Sequence, residues 1–161
     1  MSKSILIENI CRFFAKILPN VTINVNGIPY LTRYYFFGKD RKYFNIYLHH
    51  FHASDPDDGF LHNHPWKWAS GIVLAGGYTE ERKQFTFNID KRTIVVTTHS
   101  TRRPGSCGSL TSSDFHRVDL LDEINGSWSL FFVGPRSQEW GFIDKNTGEF
   151  KDYRQFPGAI P

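Results

Sequence analysis

The 161-residue chain contains only two cysteines and one methionine, and no apolar run long enough to cross a bilayer. Cys11 and Cys107 lie far apart and outside any paired-motif spacing. No zinc ribbon or disulfide framework is therefore legible; a reduced cytoplasmic protein is the simpler reading, and a bridge between the two cysteines the alternative. A membrane-spanning helix needs ~18 consecutive apolar residues. The most apolar stretch, residues 1–19, is interrupted by Glu8, Asn9, Arg12 and Lys16, and no small-residue cleavage site follows it. Neither a membrane anchor nor a signal peptide is expected. Charge of one sign is also scarce. Nineteen basic residues against sixteen acidic ones leave a net +3, and no lysine run or basic helix is present. Nucleic acid is thus not an expected partner, and Lys91-Arg92 and Arg102-Arg103 read as solvated turns. A GxxxxGKS phosphate loop, a GxSxG elbow and a paired-cysteine zinc site are all missing.

Aromatic residues are abundant. Phe, Trp and Tyr make up 16% of the chain, and bulky rings favour the pleated, half-buried surface of a sheet. One helix is expected over residues 3–18, where Leu6, Ile10, Phe13, Phe14 and Ile17 recur at steps of three and four. Its apolar stripe is expected to pack on a barrel or on a second subunit, so a homodimer is a partner to consider. From Thr22 onward roughly nine strands follow one another, separated by turn signals such as Asn26-Gly27, Gly76-Gly77, Asn88-Ile89-Asp90 and Pro104-Gly105. That rhythm argues an all-β sandwich or barrel in a single domain over 1–161, with residues 144–161 as a surface wrap.

Chemistry concentrates in the histidines. Five of seven (His49, His50, His52, His62 and His64) fall within sixteen residues. In His62-Asn63-His64 the two imidazoles share one face of a strand, since side chains alternate, and Asn63 should face outward. The apolar residues in phase with them are Trp66, Trp68, Ile72 and Leu74. His116 shares its face with Val118 and Leu120, while Arg117 takes the other side. All three histidines therefore point to the apolar interior, where a buried imidazole needs a partner for each nitrogen. A metal ion supplies one; core histidines satisfied by backbone are the alternative.

HNHPW at 62–66, the glycine turn at 76–77, RPG at 103–105 and FHRV at 115–118 resemble the two-motif pattern of the cupin superfamily over roughly residues 45–140. The runs SDPDDGFLHNHPW, GGYTEE, FHRVDL and GPRSQEWGF further resemble small uncharacterised cupin-like proteins of bacteria and phages, a likeness that implies no function. The cupin resemblance implies a double-stranded β-helix, or jelly roll, with a divalent ion on His62, His64 and His116. Two departures qualify it. The glutamate that usually follows the second histidine is replaced by Trp68 and Ala69, and His116 stands eleven positions after Gly105 rather than three. Glu80, in phase with Tyr78 and Arg82, could face the pocket instead, or lie at its rim.

An ion on three neutral imidazoles keeps open coordination positions, the mark of a catalytic rather than a structural site. Such donors suit Fe(II), and also Zn, Mn, Ni or Cu. The leading expectation is an Fe(II)-dependent oxygenase acting on a small molecule. Tyr78 or Glu80 would handle protons, Arg136 would orient an acidic substrate, and Trp66 would form pocket wall. A non-redox metal-dependent isomerase or hydrolase, and a non-catalytic ligand-binding barrel, are the rivals.

Overall fold

The computed structural model describes residues 3–39, 41–56, 58–87 and 93–155. Among the described residues, one α-helix, α1 (Lys3–Ile17), precedes twelve strands. These are β1 (Asn20–Val25), β2 (Ile28–Tyr35), β3 (Asn45–Phe51), β4 (Phe60–His62), β5 (Trp68–Ala75) and β6 (Tyr78–Phe87), followed by β7 (Thr93–Arg102), β8 (Cys107–Thr111), β9 (Asp114–Leu120), β10 (Ser127–Val133), β11 (Gly141–Asp144) and β12 (Phe150–Asp152). They form two six-stranded sheets in the orders β1-β2-β3-β10-β5-β8 and β12-β11-β4-β9-β6-β7. All pairings are antiparallel, and the fold is the jelly roll of the cupin type.

The turns obey their chemistry. Asn26 and Gly27, at φ 52° and 79°, join β1 to β2, the paired positive φ that a two-residue hairpin of type I′ requires. Gly76 has φ 75°, and a Cβ there would stand 2.2 Å from the Gly126 carbonyl oxygen. No other residue fits that crossing. Two differences from the expected elements follow. More strands form than nine, because the run from Phe60 is split into β4 and β5 by the Asn63–Lys67 segment around Pro65. Within the segment expected as a surface wrap, β12 pairs with β11 and extends the second sheet. The turn at Asn88-Ile89-Asp90 and the last six residues lie outside the described residues.

The helix forms as expected but turns a different face to the sheet. Cys11 is buried, in a cluster with Leu48, Ala75 and Trp128, and Phe14 and Ala15 pack beside it. Leu6, Ile10, Phe13 and Ile17 are instead exposed by about half. The reason is bulk. Tyr34, Phe36 and Trp128 stand at this spot; the small side chains of Cys11 and Ala15 let the helix approach these rings, while Phe14 packs against Phe36. Cys11 and exposed Cys107 are both free thiols. Among the described residues, no helix is long and apolar enough to cross a membrane.

A second cluster, Tyr35, Tyr47, Ala69, Leu110 and Val133, with Trp66 and Phe131 against it, lies between the sheets. It floors a cavity of about 1150 Å³. The break at Pro65 shifts the phase of the chain that follows. In β5 it is Ala69, Gly71 and Val73 that turn inward, while Leu74 faces the helix and Trp68 is 41% exposed. The continuous inward row Trp66–Trp68–Ile72–Leu74 does not exist.

Candidate metal centre

His62 ends β4 and is the register partner of His116 on β9, so their side chains stand side by side on one face of the sheet. His64 follows in the irregular linker. One ligand nitrogen from each of the three lies within 4.8 Å of the others. The Nε2 atoms of His64 and His116 are 2.9 Å apart. Two imidazole nitrogens bound to one ion at right angles, each at ~2.1 Å, would be separated by ~3 Å. The spacing therefore fits a shared ion, with His62 closing in from the side.

The linker that carries His64 is pinned from behind. Asn63 does not line the cavity that His62 and His64 share, but its outward side is covered, leaving it 4% exposed. Its backbone N–H donates to the Gly141 carbonyl (3.0 Å), its Oδ1 accepts from the Gly141 N–H (2.8 Å), and its Nδ2 donates to the Ser112 carbonyl (3.1 Å). A short asparagine at a chain break satisfies three backbone groups that regular pairing would have used, and so fixes where His64 points.

His116 is held by a carboxylate. Its Nδ1–H donates to Glu80 Oε1 at 3.0 Å. The same carboxylate accepts from Arg82 Nη2 (2.9 Å) and, on Oε2, from Arg102 Nη2 (3.0 Å) and Ser100 Oγ (3.4 Å). Burial alone would raise the Glu80 carboxyl, but the hydrogen bond from His116 and the hydrogen-bonded, charged Arg82 outweigh it and hold it well below the usual carboxylate range. The carboxylate can only accept, so His116 must carry its proton on Nδ1, leaving Nε2 bare toward the cavity. Without an ion, the His64 Nε2–H donates into that lone pair.

Asp55 stands behind His62, with Oδ2 3.7 Å from Nδ1. It is itself held by the Val118 N–H (2.6 Å) and by the Tyr30 hydroxyl. Burial lowers the His62 pKa to about 4 and carries that of His64 well below its usual value. Both rings are thus neutral near pH 7, the form that binds metal.

The remaining candidates divide. Trp66 stacks on His64, with ring centroids 5.5 Å apart, and forms cavity wall. Tyr78 also lines the cavity, and its hydroxyl pKa is pushed up to about 12, chiefly by burial and then by Glu80. Arg136 sits at the rim, 52% exposed, 3.5 Å from Glu139. Arg117, expected on the exterior, is only 9% exposed, and its guanidinium bonds the Asp55 carbonyl and Asp119. His49 lies on the inner wall, whereas His50 stacks on Trp128 beneath the helix, with centroids 3.9 Å apart. Arg33 and Arg102 were missed as parts of the cavity. For Arg33 a signal was present: it falls between Leu31 and Tyr35 on the apolar phase of β2.

No protein-family model and no curated protein sequence matches the chain. Solved structures do. Fe(II)-bound HppE with the alternative substrate (S)-1-HPP superimposes with a TM-score of 0.53 at 10% identity, covering 73% of this chain and 56% of that one. Streptomyces albus HEPD, with 2-hydroxyethylphosphonate and Fe(II) bound, gives 0.52 at 10% identity, covering 76% and 25%. The DMSP lyase DddQ from Ruegeria pomeroyi gives 0.54 at 11% identity, covering 83% and 64%. The chain thus spans just over half the length of HppE. At these identities the likeness is one of fold, and the fold that these cupin proteins share with this chain is the jelly roll.

Proposed function

We propose that the chain is a mononuclear metal-dependent enzyme, an Fe(II) oxygenase acting on a small molecule within the barrel. The observation that carries this reading is the convergence of three imidazoles, one nitrogen of each within 4.8 Å of the others, on the wall of a large cavity. Such a donor set leaves positions free on the cavity side. When bound, an iron(II) ion would supply redox and Lewis-acid chemistry there.

The protein's own groups take defined parts. His62, His64 and His116 hold the ion. Glu80 is a positioning residue that fixes the tautomer and plane of His116, its oxygens being committed to that ring and to two arginines. Tyr78, whose hydroxyl keeps its proton at neutral pH, donates a hydrogen bond or a proton into the cavity. Trp66 and Phe131 exclude water from one wall.

The test is elemental analysis of protein purified without a histidine tag, with oxygen uptake measured on the same sample. Iron near one equivalent, lost in His62→Ala, with oxygen consumption, is the expected result. Zinc or manganese without oxygen uptake would make the site a non-redox one. A barrel with no ion, or unchanged metal in His62→Ala, would remove the proposed centre.

A further inference from the structure

The cavity is strongly cationic. Among the described residues that line it, eight are basic and three acidic. Most of the arginines have carboxylate partners: Arg82 and Arg102 pair with Glu80, Arg117 with Asp119, and Arg136 with Glu139. Arg33 differs. It stands on the inner face of β2, opposite His49 of β3 in register, and among the described residues no carboxylate pairs with it. Its Nε donates to His49 Nε2 at 3.2 Å. Burial and then the Arg33 charge keep His49 well below its ordinary pKa, so the ring is a neutral acceptor that neutralises nothing. The guanidinium lies over Tyr47 at 5.0 Å and over Trp66 at 5.5 Å, and Trp66 in turn stacks on His64. Aromatic faces offset part of the cost of a half-buried cation. They leave the paired Nη groups, whose geometry matches an oxyanion fork, without a counter-ion.

We propose that Arg33 is the recognition group for an anionic substrate, a small molecule bearing a carboxylate or phosphoryl group that sits between this guanidinium and the three histidines. The inference rests on the reading of the cavity as the substrate site of a metal enzyme. It gives the anchoring role to a residue of the opposite sheet and not to Arg136 at the rim. With Nε fixed by His49 and the plane fixed by two rings, little side-chain entropy is lost on binding.

The test uses Trp fluorescence and calorimetric titration of the Mn(II)-loaded and the chelator-treated protein. The probes are glycolate, methylphosphonate and the neutral glycolamide. In wild type at least one anion should bind about tenfold or more tightly than glycolamide, and the tighter of the two identifies the oxyanion chemistry. Arg33→Met should abolish that preference while keeping the metal stoichiometry, and Arg136→Ala should keep both. If Arg33→Met fails to fold by circular dichroism, Arg33→Gln, which retains a donor for His49, decides in its place. An anion preference that survives the neutral variant, or that wild type never shows, overturns the proposal. Failure of the metal reading is seen separately, as no bound ion in wild type; the chelator-treated titrations then still decide on Arg33.

Discussion

Replacing Glu80 with Gln separates the two jobs of the buried carboxylate. The substitution preserves shape but removes the charge facing Arg82 and Arg102, both within 3.0 Å. Breaking a buried ion pair from one side costs about 3–5 kcal/mol. For a domain of this size each kcal/mol is worth about 2–4 °C, so the melting temperature should fall by about 6–20 °C. The second effect falls on the metal. A glutamine that turns its NH₂ toward His116 Nδ1 makes that nitrogen the acceptor and moves the ring proton to Nε2, where the ion should sit. Loss of such an orienting carboxylate typically costs 10–100-fold in metal affinity. Arg82→Met is the control. It should lower stability yet leave the Glu80–His116 bond, and hence metal affinity within about threefold. Competitive titration with Co(II), read by its d–d absorption, measures the affinity, and a thermal melt the stability. The reasoning fails if Glu80→Gln binds Co(II) as wild type does, or if Arg82→Met weakens binding equally.

Other expectations follow from the same geometry. The His62 pKa falls from 6.5 unfolded to about 4 folded, so its neutral form is favoured by the fold. Stability from this ring is complete above pH 6.5 and is lost as pH drops toward 4, about 3 kcal/mol in all; urea midpoints of chelator-treated protein between these limits should show the decline, and a flat profile would refute it. Asn63→Ala removes the two side-chain hydrogen bonds behind His64 and should destabilise by about 1–3 kcal/mol in a urea melt, with a matching drop in metal stoichiometry. Gly76→Ala sets a Cβ against the Gly126 carbonyl at positive φ and should cost at least about 2 kcal/mol; a melting temperature equal to wild type would contradict the crossing.

Much of this was legible in the residues. The two-residue spacing of His62 and His64, and the apolar phase around His116, pointed to the interior because strand alternation is rigid where a strand is regular. The same rule misplaced Trp68 and Leu74, because β4 ends at His62 and the irregular segment around Pro65 carries no phase across into β5. The proline was visible; its effect on the register was not. In α1 the periodicity gave the helix, but the buried face depended on Trp128 and Phe36, distant in the chain, which favour small Cys11 over large Phe13. The Glu80 network needs the pairing of β6 with both β7 and β9, a register that composition does not encode.

Asn63 ties the histidine linker to Gly141, and His64 meets a partner 52 positions further along. During synthesis, therefore, the first two imidazoles leave the ribosome long before the chain can grip anything with them. Only when residues near 141 have emerged and docked does the trio acquire a fixed shape. Metal capture should thus be a late event, and a polypeptide cut short of β11 should fail as a chelator even with every coordinating side chain intact.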